Sequence, residues 1–92
     1  MLYLICYDIV KDSRRTKVAK VLEAYGLRIQ KSVFEAMLTT DQYQKLHKRI
    51  GYLIDLETDQ VRFYPLTKRS QTKATILGTQ PERAIADPTF IV

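Results

Sequence analysis

Residues 2–9, near the start of the chain, read LYLICYDI. Successive side chains of a β-strand point to opposite faces, and here both alternating sets are apolar. One set is Leu2, Leu4 and Cys6, and the other is Tyr3, Ile5 and Tyr7. A strand that is apolar on both faces is typical of the covered centre of a sheet. We therefore predict a central strand that ends at Asp8.

The segment after this strand predicts a helix. Asp12 or Ser13 can cap its start, and apolar residues recur at helical spacing as far as about Tyr25. Gly26 follows at the position where many helices end on a left-handed residue. We expect Gly26 to supply that left-handed stop.

A second helix is the clearest periodic pattern in the chain. Thr40 is a suitable N-cap, and the apolar residues after it are separated by three, four and three positions. These residues are Tyr43, Leu46, Ile50 and Leu53. A polar turn from Asp55 to Asp59 is expected to follow the helix.

Two β regions flank the second helix. The region from Leu27 to Leu38 loses its alternation around Gln30-Lys31-Ser32, which predicts a short hairpin of two strands, with a single bulged strand as the alternative. Gln60 to Leu66 predicts the last strand, with its end near Pro65. The resulting order is that of the α+β ferredoxin-like βαββαβ fold, an antiparallel sheet with both helices on one face.

Residues 67–92 are expected to belong to the same domain as this 1–66 core. They predict a strand from Ala74 to Leu77, a tail, and a basic loop with Lys68, Arg69 and Lys73. The helices cover one face of the sheet, yet the first strand is apolar on both faces. A symmetric second copy, whose C-terminal strand and tail cross over, would cover the open face. We therefore predict a homodimer.

The composition narrows the function. The 92 residues contain 15 Lys and Arg against 10 Asp and Glu, a formal net charge of +5, which favours polyanion partners such as nucleic acid. The single cysteine, Cys6, cannot form an internal disulfide. The first apolar run reaches Asp8 too early for a membrane span and lacks the features of a signal peptide, so we expect a cytoplasmic protein without a membrane partner. No Gly-rich phosphate loop, zinc pattern or Ser-His-Asp set is present, which argues against nucleotide hydrolases and zinc enzymes.

Asp8 is the first candidate for chemistry. A carboxylate at the end of a central strand can be a magnesium ligand, because Mg²⁺ in nucleic-acid sites takes one or two carboxylates together with waters and substrate phosphates. One aspartate per chain is a small donor set, and a dimer axis near the strand ends would bring two copies together. The alternative is that Asp8 only ends a strand or caps a turn.

Basic residues follow Asp8 closely. Arg14, Arg15 and Lys17 lie in the first turns of the first predicted helix, at the positive end of its dipole, where cations are unfavourable. A phosphate bound at this end would explain them, and a solvated, salt-screened charged turn is the alternative. Arg28 and Lys31 add further positive charge.

Four segments, taken in order, resemble the CRISPR-associated Cas2 family. They are YDI at residues 7–9, DSRR at 12–15, YGLRIQKSVFE at 25–35 and VRFYPL at 61–66. The resemblance implies a ferredoxin-like homodimer whose C-terminal strand reaches across to the partner. It also implies a magnesium-dependent endonuclease that acts on single-stranded RNA or, in some members, double-stranded DNA. Association with the Cas1 integrase during the capture of new spacers is implied as well.

The resemblance also assigns residues. The family's metal-binding aspartate falls on Asp8, beside Tyr7, and its arginines fall on Arg15 and Arg28. Its phenylalanine falls on Phe34, which could stack on a base but is favoured as part of the core. Tyr7 and Phe34 are therefore expected to support the site.

The resulting hypothesis is a site at the dimer axis. Two Asp8 carboxylates would hold one Mg²⁺ ion, with Mn²⁺ as the other candidate, while Arg15 and Arg28 position the phosphate backbone. A further helix arginine of some members corresponds to Lys17 here, which keeps the charge but loses the bidentate geometry. We expect cleavage of single-stranded RNA, with DNA as the second substrate, and a weak sequence preference because phosphates are read instead of base edges.

Other functions remain open from the sequence. The dimer can be a non-catalytic scaffold that binds nucleic acid and bridges Cas1 integrase dimers, with a structural Asp8. Another alternative is a toxin-like ribonuclease of similar fold that resembles the VapD type. An RNA-recognition module is disfavoured because residues 33–37, VFEAM, lack its base-stacking aromatic motif.

Overall fold

The computed structural model of this chain describes residues 1–79. In chain order its elements are β1 (Leu2–Asp8), α1 (Asp12–Glu23), β2 (Leu27–Gln30), β3 (Val33–Met37), α2 (Thr40–Leu53), β4 (Gln60–Leu66) and α3 (Lys68–Lys73). The first six elements follow the predicted strand and helix order. The α+β ferredoxin-like fold is therefore confirmed.

The sheet has the strand order β2-β3-β1-β4, and every neighbouring pair is antiparallel. β1 lies between β3 and β4, which is the central position that its two apolar faces predict. Asp8 pairs with Gln60 at one end of the β1–β4 ladder, and Leu2 pairs with Leu66 at the other end. The predicted bounds of the last strand, Gln60 to Leu66, are also confirmed.

The hydrophobic core lies between one face of the sheet and the two long helices. The sheet contributes Ile5, Tyr7 and Phe34, and the helices contribute Val18, Leu22, Leu46 and Ile50. Tyr3 of β1 stacks on Tyr43 of α2, with ring centroids 4.6 Å apart. Burial of each large apolar side chain stabilises the fold by about 1.5–3 kcal/mol, which holds α1 and α2 against this face.

The opposite face of the sheet is less completely covered, and we call it the open face. It carries Leu4, Cys6 and Asp8 of β1, Val33 of β3, and Arg62 and Tyr64 of β4. Leu4, Cys6 and Val33 are half-buried and Tyr64 is exposed, whereas Ile5 and Phe34 on the other face are fully buried. The open face thus keeps apolar surface in the single chain.

Both long helices begin differently from the prediction. Lys11 is the N-cap of α1 and makes no side-chain capping bond, since an ammonium group has no acceptor for a backbone N–H. The carboxylate of Asp12, one of the two predicted caps, lies inside the helix and pairs with Arg15. Thr39, and not Thr40, is the N-cap of α2. Its hydroxyl accepts a hydrogen bond from the Gln42 backbone N–H, and the Gln42 side chain accepts one from the Thr39 N–H. Thr39 is preferred because a glutamine stands three residues after it, which completes a capping box.

The predicted left-handed stop at Gly26 is wrong. In residues 1–79, Gly78 is the glycine with positive φ, and α1 already ends at Glu23. A Cβ on Gly26 would lie 2.1 Å from the backbone oxygen of Glu35. Glycine is needed at this position because the backbone lies so close to β3 that a side chain would overlap it. Its backbone angle is not the reason.

The hairpin prediction is confirmed. β2 and β3 are antiparallel and joined through Lys31 and Ser32, with a register shift between Arg28 and Gln30. The hydroxyl of Tyr7 donates a hydrogen bond to the carbonyl oxygen of Lys31 at 2.9 Å. The turn is therefore fastened to the central strand.

The region after β4 differs from the prediction. Lys68 to Lys73 form the short helix α3 and not a loop, because the Thr67 hydroxyl accepts a hydrogen bond from the Ser70 N–H and caps the helix. Residues 74–77 form no strand within the single chain, since a strand needs a neighbour for its ladder and the prediction placed that neighbour on a second copy. The predicted tail at residues 80–92 lies outside the described residues. None of the helices in residues 1–79 has the length and apolar character needed to cross a bilayer.

Candidate metal and nucleic-acid site

Asp8 is the last residue of β1 and is exposed on the open face. The preceding residue, Tyr7, points into the core, so strand alternation directs Asp8 the other way. Within residues 1–79 the Asp8 carboxylate has no hydrogen bond or ion pair. Its oxygens are therefore available to an external ligand.

The donor set around Asp8 fits Mg²⁺ but is incomplete in one chain. No group of three His, Cys, Asp or Glu residues within residues 1–79 is arranged to hold a metal ion. Mg²⁺ is commonly held by one or two carboxylates, with water and substrate phosphates completing its shell. An exposed carboxylate without an internal partner suits this mode, provided that a second chain or the substrate supplies the other ligands.

Asp59 holds the loop that follows Asp8. Its side chain is 0% exposed and pairs with Arg14, with 2.7 Å between Asp59 Oδ2 and Arg14 Nε. Its Oδ1 accepts a hydrogen bond from the Val10 N–H and its Oδ2 accepts one from the Asp55 N–H. These bonds, led by that from Arg14, hold the pKa of Asp59 well below its usual range.

Arg15 fastens the same loop from the helix side. Its guanidinium donates to the carbonyl oxygens of Ile9 and Val10, and its Nη1 lies 2.6 Å from the carboxylate of Asp12. Arg14 and Arg15 were both predicted to bind nucleic acid. Both are engaged by acceptors of the chain itself, and a phosphate would compete with those acceptors.

Arg28 belongs to a separate cluster at the hairpin. Its guanidinium donates twice to the carbonyl oxygen of Lys31, contacts Glu23 and the Tyr7 hydroxyl, and lies 5.4 Å from the ring centroid of Phe34. Tyr7 and Phe34 are buried on the helix side of the sheet. They support the hairpin and face away from Asp8.

Two lysines of the predicted set are not engaged in this way. Lys17 of α1 and Lys31 of the hairpin turn are exposed, and neither side chain has an ion pair within the described part of the chain. Their ammonium groups can reach a phosphate without breaking an internal contact.

Arg62 of β4 was not among the predicted site residues. It lies on the open face, directly opposite Cys6 in the β1–β4 ladder. Its Nε donates to Gln60 Oε1 and its Nη1 donates to the Tyr64 hydroxyl, both at 2.9 Å. The bond to Tyr64 raises the pKa of Arg62. Alternation along β4 places these three side chains on one face, but their position beside Asp8 depends on strand pairing, which the sequence does not display.

The sequence model of the CRISPR associated protein Cas2 family matches residues 1–74. This chain belongs to the Cas2 family. It is 41% identical over 90 residues to the "CRISPR-associated endoribonuclease Cas2 4" of Rhodospirillum rubrum. The aligned region covers 98% of this chain and 73% of that protein.

Solved Cas2 structures share the fold. The Cas2 of Streptococcus pyogenes, crystallised at pH 6.5, superposes with a TM-score of 0.75 at 36% identity, covering 85% of this chain and 100% of that one. A chain of a partial Cas6-RT-Cas1--Cas2 complex superposes with the same TM-score of 0.75 and the same 36% identity, covering 83% of each chain. The resemblance inferred from four segments is thus confirmed, with the family model matching residues 1–74.

The arrangement in this Cas2 chain separates two kinds of residue. Asp8, Gln60 and Arg62 lie together at one end of the open face, where a ligand can approach them. Arg15 and Arg28 brace the loops on the helix side. The chemistry available on the open face is binding of a divalent cation by a carboxylate and of an anion by a guanidinium.

Proposed function

We propose that this Cas2 chain is a divalent-metal-dependent endonuclease that cleaves phosphodiester bonds during spacer acquisition. Single-stranded RNA is the preferred substrate and DNA the second. The observation that carries the proposal is Asp8: an exposed carboxylate without an internal partner in residues 1–79, at the end of the central strand. The printed name of the Rhodospirillum rubrum relative, an endoribonuclease, supports the reaction class. A net charge of +5 supports a polyanionic substrate.

The proposed active form is a homodimer that pairs open face to open face. The half-buried Leu4, Cys6 and Val33 would then leave water, and a two-fold axis near the strand ends would bring the two Asp8 carboxylates together. Asp8 of each chain would hold one Mg²⁺ or Mn²⁺ ion. When bound, such an ion supplies an activated water and offsets the charge that develops on the scissile phosphate.

The basic residues would bind the substrate backbone. Lys17 and Lys31 can contact phosphates directly, since neither has an ion pair in residues 1–79. Binding through Arg14 would require the loss of its bond to Asp59, so we assign Arg14 chiefly to the loop. Arg15 holds the loop after β1 and Arg28 holds the β2–β3 turn. Each keeps some of its N–H groups for phosphate. These contacts carry no base information, which implies weak sequence preference.

Replacement of Asp8 by Asn tests this function. We expect Asp8→Asn to lower metal-dependent cleavage of single-stranded RNA by at least about 100-fold, because an amide is a poor ligand for Mg²⁺. The measurement is turnover of labelled RNA and DNA with Mg²⁺, with Mn²⁺ and with excess chelator. Asp41→Asn is the matched control, because Asp41 is an exposed acid on α2 that pairs with Lys45. Full metal-dependent turnover by Asp8→Asn would refute the proposal.

A scaffold function is the second candidate. It is favoured by the superposition on a chain of a Cas6-RT-Cas1--Cas2 complex, at a TM-score of 0.75. A scaffold needs the dimer and its basic surface but no metal site. In cells that acquire spacers, wild-type integration with Asp8→Asn would support the scaffold, and loss of integration with the dimer intact would support the nuclease.

A further inference from the structure

Arg62 shares both the face and the end of the sheet with Asp8. Asp8 pairs with Gln60, and Arg62 is two residues further along the same strand, so both side chains project from the open face. Diagonal neighbours of this kind lie roughly 7–8 Å apart in a regular antiparallel ladder. This spacing suits two groups that hold one phosphate from opposite sides, one through a metal ion and one through a guanidinium.

Within residues 1–79, Arg62 has no ion pair with an acid. Arg14 pairs with Asp59, Arg15 with Asp12 and Arg28 with Glu23. The hydrogen-bond acceptors of Arg62, in contrast, are the neutral side-chain oxygens of Gln60 and Tyr64. Arg62 therefore presents a full positive charge on the face where the proposed metal ligand is exposed.

The guanidinium of Arg62 is also oriented in advance. Gln60 and Tyr64 lie on either side of it along β4, and each accepts one N–H at 2.9 Å. A guanidinium has five N–H donors, so three are not used by these two bonds. A planar group that is already held loses less conformational entropy when it binds a phosphate with two parallel hydrogen bonds.

We infer that Arg62 is a substrate-binding residue of the Asp8 site, and that it donates to the non-bridging oxygens of the phosphodiester next to the metal ion. Gln60 and Tyr64 are positioning residues that hold its guanidinium. The inference rests on the proposed function, because it assigns Asp8 to the same phosphate. It adds a contact on the open face to the basic residues on the helix side.

The first test measures binding without cleavage. The parent is Asp8→Asn in the full chain, and its affinity for a single-stranded RNA is measured over a range of salt concentrations with R62Q or R49Q added. We expect R62Q to weaken binding about tenfold and to reduce the slope of log affinity against log salt by about 0.7, the value for one phosphate contact on a single strand. Arg49 is an exposed arginine of α2, and R49Q should leave both quantities unchanged.

The second test measures cleavage with Asp8 intact. R62Q is expected to lower kcat/KM by about tenfold or more. R62K keeps the charge and the salt dependence but lacks the bidentate fork, so kcat/KM should remain low. If Arg62 only stabilised the sheet, R62K would instead restore kcat/KM as well as the salt dependence.

The outcomes separate the two proposals. If Asp8→Asn retains metal-dependent turnover, the proposed function fails and the role of Arg62 fails with it. If Asp8→Asn is inactive but R62Q keeps the salt slope and kcat/KM of its parent, the role of Arg62 is overturned and the function stands. If R62Q is monomeric in size-exclusion chromatography, the R62K variant replaces it in the test. An R62K protein with the kcat/KM of wild type overturns the inference. A dimeric R62K protein with a reduced kcat/KM supports it.

Discussion

Asp59 accepts hydrogen bonds from three separate segments of the chain. They are the N–H of Val10 after β1, the guanidinium of Arg14 on α1, and the N–H of Asp55 at the start of its own turn. The sequence predicts a polar turn from Asp55 to Asp59 but does not show which carboxylate is buried. That choice depends on Arg14, which is 45 residues away in the chain, and such a contact leaves no local pattern.

Asp59 predicts an acid-sensitive contribution to stability. Its pKa is lowered in the folded chain, so the contribution is fully present above the unfolded pKa of about 3.9 and is lost as the pH falls towards the folded value. We expect Asp59→Asn to lower the Tm by at least about 8 °C at pH 7, and the difference from wild type to shrink below about pH 4. Asp41→Asn, at an exposed ion pair, should shift the Tm by less than about 4 °C. A difference that persists unchanged into acid would contradict this account.

Some residues of the proposed site have a signal in the local sequence and others do not. Asp8 is a candidate because a carboxylate ends an apolar strand and because the Cas2 resemblance places the family's metal-binding aspartate there. The structure exposes it on the open face, and its metal role stays a prediction. Arg14 was predicted from its charge, and Arg15 and Arg28 from their charge and the Cas2 resemblance. The acceptors that engage these arginines come from turns whose path only the fold defines. Arg62, whose role we propose, was not among the predicted residues because its nearness to Asp8 is a property of strand register.

Secondary-structure elements were predicted most reliably where one pattern repeats. α2 follows from its apolar spacing, and β1 follows from its two apolar faces. The start of α2 was displaced by one residue because Thr39 and Thr40 both suit a cap, and Gln42 decides between them. Gly26 was correctly placed after α1, but for the wrong reason, because its neighbour on β3 is not visible in the local sequence.

Two glycine replacements test this explanation. We expect Gly26→Ala to destabilise the fold by about 1–3 kcal/mol, because its Cβ would overlap the Glu35 backbone oxygen. Gly51→Ala is the matched control, since a Cβ on Gly51, within α2, meets nothing within 4 Å. Alanine there should stabilise by about 0.5–1 kcal/mol through helix propensity. Urea denaturation measures both, and a change of the same sign and size in the two variants would contradict the steric account.

The sheet has one face packed by helices and one that retains apolar surface. This asymmetry was predicted from two observations together: the βαββαβ order places both helices on one face, and the first strand is apolar on both faces. The helix α3 was not predicted, because six mainly polar residues show no apolar period and the helix depends on its Thr67 cap. The assembly of two copies stays a prediction.

Replacement of Leu4 by Lys tests the homodimer. Leu4 is half-buried on the open face and pairs with Glu35, so a lysine would lie beside a carboxylate in the folded monomer. The same charge would face the second copy in a dimer, which should weaken association by at least about tenfold. Analytical ultracentrifugation measures the dissociation, with Leu56→Lys as the control because Leu56 is 78% exposed in the turn before β4. A Leu4→Lys protein as dimeric as wild type would place the interface elsewhere.

The Tyr3–Tyr43 stack has a practical consequence. The chain has no tryptophan, and these two rings lie 4.6 Å apart with 16° between their planes. The coupling of these rings contributes to near-ultraviolet circular dichroism only while the rings remain stacked. One ring belongs to the sheet and the other to α2, so this signal is an intrinsic optical reporter of whether that helix remains docked when metal, nucleic acid or a second copy binds.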